Sequence, residues 1–153
     1  MKLPKLNMKY FKLFFITSML ALFALQEVAA QSPTVWRDLS AVTYRITEDE
    51  FGELYVPVFS DKIRSLEGKV VEADGYIIPF EGLFKPEHII LSSLPLAECF
   101  FCGSGGPETV MEAEMTKAVK YTSKKVRIRG TLTLNDSDPE RLMYIMKNAQ
   151  LID

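Results

Sequence analysis

Hydrophobic and polar residues alternate along much of the chain beyond residue 40. Val42, Tyr44 and Ile46 alternate with polar neighbours, and Leu54, Val56 and Val58 do so after a turn at 49–52. A period of two marks half-buried strands. Ser60 then heads a short helical turn carrying Ile63 and Leu66, with Gly68 placed to end it. Five further strands are predicted at 69–80, 88–94, 109–115, 125–134 and 142–152. Residues 116–121 predict a helical turn, and the Asn, Asp, Ser and Pro cluster at 135–139 predicts the last reversal.

Gly75 and Gly130 each follow a valine by four residues inside a long strand, where glycine marks a bulge or a sharp bend. Long, bent strands in a set of five, with a short helix between the third and fourth, predict a mostly β protein. The expected architecture is a small OB-like five-stranded Greek-key barrel preceded by an N-terminal β extension, with an antiparallel sandwich as the alternative. Trp36 and Leu39 are expected to cover an open end of that barrel.

The N-terminus has a different pattern. Lys2, Lys5, Lys9 and Lys12 precede an apolar run over 13–25, broken only by Thr17 and Ser18, and Val28, Ala29 and Ala30 follow. This is the order of a secretory signal peptide, with cleavage expected between Ala30 and Gln31. A spanning helix needs about 20 apolar residues, so the run is short for an anchor, which is the alternative. With no cysteine after the cut, a lipid anchor is not expected. The expected product is a periplasmic or secreted domain over 31–153, off the membrane once the signal is cleaved.

Removing 1–30 takes four lysines and Glu27, leaving 14 basic against 19 acidic side chains, a net charge of −5. That balance speaks against nucleic-acid backbones and anionic lipid as partners. Glu48, Asp49 and Glu50 read as a solvated turn.

Chemistry concentrates in one place. The chain has two cysteines, in Glu98-Cys99-Phe100-Phe101-Cys102-Gly103, followed by Ser104, Gly105, Gly106 and Pro107. Residues i and i+3 of a turn lie within disulfide range, and an exported thiol pair meets an oxidising compartment. Two thiolates are also half of a tetrahedral zinc shell. Gly103 at positive φ would turn backbone N–H groups toward sulfur, as in a metal knuckle. The remaining ligands would be His88, the only histidine, and an oxygen from Glu98, Glu108 or Glu112. A second subunit bringing another pair of thiolates is the other way to complete the shell. Thiol–disulfide exchange is the third reading, and it lacks the helix N-terminus that activates such cysteines. No spacing supports Ser-His-Asp catalysis through His88, and residues 104–106 lack the Lys-Ser/Thr and helix of a phosphate loop.

The segment 66–79, the run from His88 through the Cys loop to Pro107, Val126 to Gly130, and the final stretch 144–152 resemble, in that order, an uncharacterised group of exported bacterial proteins, domain-of-unknown-function family 3299. The resemblance implies an exported OB-like barrel. Some members are encoded beside zinc-uptake transporter components, which implies metal handling and partners among metal-transport components of the cell envelope. The family's usual loop has Cys, then His two positions on, a proline run and Asn-Gln. Here Cys99 matches, Phe101 replaces the His, Gly-Ser-Gly-Gly replaces most prolines, Glu108-Thr109 stands for Asn-Gln, and Cys102 is additional. With that resemblance, the leading expectation is a non-enzymatic zinc-binding protein using Cys99, Cys102, His88 and Glu108, or a homodimer sharing thiolates. A disulfide-stapled binding or assembly module is the alternative.

Overall fold

The computed structural model describes residues 35–49, 52–79 and 86–152. The signal peptide and its cut fall on residues outside these. Trp36–Leu39 forms the short helix α1. It is followed by strands β1 (Thr43–Asp49) and β2 (Gly52–Val58), which pair antiparallel as a two-stranded arm with Tyr44 opposite Pro57 and Ile46 opposite Tyr55. This arm is the expected N-terminal extension. The Ser60 hydroxyl accepts from the Ile63 N–H and caps helix α2 (Asp61–Arg64), and Gly68 takes φ 73° where the chain turns into the next strand.

Five strands follow: β3 (Val70–Ile78), β4 (His88–Ser92), β5 (Val110–Met115), β6 (Val126–Leu134) and β7 (Tyr144–Ile152). They close in the order β3-β4-β5-β7-β6, every neighbour antiparallel except β5 with β7. A three-strand meander with the fifth strand inserted between the third and fourth is the Greek key of an OB-like barrel.

Each echoed glycine sits where the sheet bends. Gly75 is the last β3 residue paired with β6 (opposite Val126), and Tyr76 is the first paired with β4. A Cβ at Gly75 would lie 2.5 Å from the Ser92 carbonyl oxygen, so the strand changes partners through a point too tight for a side chain. Gly130 faces a bulge whose extra residue lies in β7. The register steps from Arg129–Gln150 to Thr131–Lys147, and Asn148 holds φ 52°.

Met111, Ala113, Ile128, Leu132, Tyr144 and Met146 fill the core, joined by Leu39, Phe59 and Ile63 from the N-terminal segment. While β6 covers one edge of early β3, the other edge is closed by chain outside the barrel. The Val35 N–H bonds the Glu72 carbonyl at 3.2 Å and the Trp36 indole N–H bonds the Asp74 carbonyl at 2.7 Å.

One expected element is absent. Residues 116–121 form bends and irregular chain, and among the described residues the two short α-helices both precede the barrel. Thr116 bonds the Ala149 carbonyl through its N–H, and Val119, buried, donates its N–H to the Pro86 carbonyl. Those long-range bonds hold the linker against the sheet in a form that a local helical turn would break.

Candidate functional site

The β4–β5 connection, residues 93–109, carries both cysteines and is shaped mainly by backbone. After a 3-10 turn at Leu96–Glu98, the N–H groups of Cys102 and Gly103 both donate to the Cys99 carbonyl, at 3.2 and 2.8 Å. The Gly105 N–H bonds the Glu98 carbonyl at 3.0 Å, and a second 3-10 turn, Pro107–Thr109, leads into β5. Gly103 is not in the left-handed region, and these two N–H groups bond a carbonyl oxygen, so the knuckle expected there is not formed. Glycine is needed for a different reason: a Cβ would stand 2.5 Å from the Ala97 carbonyl oxygen.

Both cysteines are free, Cys99 buried and Cys102 exposed, and Cys99 is near enough to perturb the Cys102 thiol. Desolvation first, then the charge and hydrogen bond of Cys99, push the Cys102 thiol above its ordinary pKa. That is opposite to what an attacking thiolate needs.

The other two expected ligands lie elsewhere. His88 opens β4, while the Cys loop begins after the strand's far end. At about 3.3 Å per residue, four residues of strand separate them by about 13 Å. Its Nε2 lies 3.0 Å from Glu112 Oε2 on the neighbouring strand. Glu108 is nearer in sequence but turns to Tyr44, whose hydroxyl donates to it at 3.3 Å. Among the described residues, no three His, Cys, Asp or Glu side chains converge on a common point. Cys99, Cys102, His88 and Glu108 therefore do not fit one zinc shell within a single chain.

Glu112, weighed as a possible metal oxygen, is instead a buried anchor. It accepts from Arg141 Nη2 at 2.6 Å, from the Leu142 N–H at 2.7 Å and from His88, and Arg141 also reaches Glu114 at 2.8 Å. Burial pushes its carboxyl up, but the bonds and charge of Arg141, the Leu142 N–H and His88 outweigh it and hold the pKa below the ordinary value. This cluster fastens the 135–143 loop across the outer face of β5. Asn135 organises the rest of that loop, its amide reaching the Asp138 carbonyl at 2.8 Å and its oxygen accepting the Asp138 N–H at 2.9 Å. Neither Arg141 nor Tyr44 stands out in the sequence, since a lone arginine in a loop and a tyrosine in a strand carry no spacing signal.

The loop and the hairpin arm face each other across a groove of about 420 Å³. Tyr44, Tyr55 and Pro57 line it from the arm, Leu142 and Met143 from the loop, and Phe100 and Pro107 from the cysteine connection. Tyr44 is pushed above its ordinary pKa by burial, then by the Glu108 charge and hydrogen bond. Its hydroxyl stays protonated as a donor.

No family model, curated protein or solved structure matches this chain, so the resemblance to family 3299 rests on the quoted motifs alone.

Proposed function

We propose that the chain is an exported, non-enzymatic binding module in which a Cys99–Cys102 disulfide shapes one wall of the groove. One observation supports this reading above others: Phe100, which lines the groove, sits in the turn between two free thiols near enough for one to perturb the other. Closing that turn fixes the backbone that presents the ring. A four-residue ring removes only about 2 kcal/mol of unfolded-chain entropy on the loop-closure relation. The crosslink therefore serves local shape more than global stability.

The chemistry needs an oxidant, and the compartment implied by residues 1–30 supplies one. The two thiols give two protons and two electrons to an exchanging disulfide of that compartment, which is reduced to a dithiol. The motif order shared with family 3299 supports export. It does not support the zinc shell here, whose His88 and Glu108 are engaged elsewhere. A metal ion held between two copies would need the fully buried Cys99 as a ligand, which counts against it.

The test is the exported chain purified without reductant. A mass two hydrogens below the reduced form, with no zinc retained, is expected. One zinc per chain or per pair of chains, with all thiols still alkylatable after its removal, overturns the reading.

A further inference from the structure

We infer that the groove docks an extended polypeptide segment of another protein, carrying lysine or arginine flanked by apolar residues. The inference rests on the binding role proposed above and names its ligand class.

Shape is the first argument. Tyr44, Ile46, Tyr55 and Pro57 share one face of the arm by cross-strand register. Tyr44, Tyr55 and Pro57 line the groove, while Ile46, paired with Tyr55, lies outside the lining, and the two remain 56 and 57 % exposed. The apolar strip thus continues along the arm past the cavity. A linear strip suits an extended chain, which can place alternate side chains along it.

Charge is the second. Among the described residues, the carboxylates at the groove are Glu53, Asp136 and Asp138, and no lysine lines it. The one lining cation among the described residues, Arg141, is bound to Glu112 and Glu114. Arg64 approaches Asp136 only to 3.7 Å and offsets part of its charge. An acidic rim attracts a cation, and the faces of Tyr44, Tyr55 and Phe100 add to that attraction.

A saccharide is the weaker occupant because most of the polar groups here are already engaged. Tyr44 bonds Glu108, Tyr55 bonds Glu53, Asn135 is satisfied within its own loop, and Asp138 accepts the Glu140 N–H. What remains open is apolar surface and negative charge.

The experiment titrates the oxidised, isotope-labelled exported chain with three probes, followed by amide resonances. They are the peptide Gly-Leu-Lys-Pro-Leu-Lys-Gly, the same peptide with glutamate for lysine, and maltotetraose. The lysine peptide is expected to shift Leu54, Tyr55, Phe100 and Leu142. Affinity should fall about tenfold in Tyr55→Ala and about threefold in the Asp136→Asn, Asp138→Asn double variant. Equal binding of the glutamate peptide, or shifts scattered away from these residues, overturns the inference. Shifts there from maltotetraose alone overturn it but leave the groove as a ligand site, and silence from all three probes removes that reading as well.

Discussion

The Tyr44 hydroxyl donates to a Glu108 carboxylate oxygen at 3.3 Å, joining the hairpin arm to the loop that carries both cysteines. The same hydroxyl lies 4.0 Å from the Met143 sulfur, on the opposite wall of the groove. A two-stranded hairpin is marginally stable alone, so the arm depends on such ties for its place beside the barrel.

Tyr44→Phe keeps the ring and removes the bond. A loss of about 1 kcal/mol is expected, with amide exchange rising in 43–48 and 53–58 while barrel strands keep their protection. Hydrogen exchange by mass spectrometry reads both. Unchanged protection of the arm would show that its position does not need this contact.

The Glu112 cluster predicts a pH dependence. A carboxyl held below its ordinary pKa stabilises the fold above the unfolded value, near 4.3, and that contribution is lost as pH falls through the lower folded value. Asp74, held down by its bond to Arg127, adds to the same slope. Thermal melts should therefore weaken steadily below about pH 4.5, and Glu112→Gln should flatten that slope while lowering stability at neutral pH. An identical slope in the variant removes Glu112 as its source.

Removing one partner of this cluster should cost more than removing an exposed one. Glu112 is 8 % exposed, so Arg141→Ala leaves a buried carboxylate short of its cation and should cost about 3 kcal/mol. Arg129→Ala breaks a pair with Glu72 that is open to solvent and should cost about 0.5 kcal/mol. Denaturant melts of the two variants decide it, and comparable losses would contradict the assignment.

The β7 bulge is tested at Asn148. Asparagine tolerates a φ of 52°, and glycine does so freely, so Asn148→Gly should be close to neutral. Asn148→Val should cost about 1–2 kcal/mol, because a β-branched residue is strained there. Gly130→Ala should also destabilise, since its Cβ would lie 2.7 Å from the Lys147 carbonyl oxygen. A Val variant as stable as the parent would mean that the bulge relocates.

The thiol pair gives a kinetic prediction. In the reduced chain a raised Cys102 pKa leaves less thiolate at neutral pH, so iodoacetamide should modify it more slowly than glutathione. The rate should keep climbing above the ordinary thiol range, near pH 8.5. Alkylation faster than glutathione at pH 7 would point to an activated nucleophile and to disulfide exchange.

Much of the fold was legible because its signals are local. Alternation at Val42–Ile46 and Leu54–Val58 marks the arm, and Ser60 marks the start of a helix because a cap acts within a few residues. That helix ends at Arg64 with Ser65 as its cap, whereas Gly68 serves the turn beyond. Gly75 and Gly130 mark tight points because a missing side chain is visible in one dimension. The helical turn expected at 116–121 failed because Thr116 and Val119 take their hydrogen bonds from Ala149 and Pro86, which local propensity does not register.

The candidate site divides along the same line. Sequence alone determined that two thiols share one glycine-rich turn, since three residues of separation confine them whatever the rest of the chain does. Only the tertiary structure decided the company they keep. The length of β4 separates His88 from the turn, Tyr44 engages Glu108, and Arg141 folds its loop over Glu112 to make a groove. Those contacts join residues from 29 to 64 positions apart, and their geometry exists only once the sheet has closed on itself.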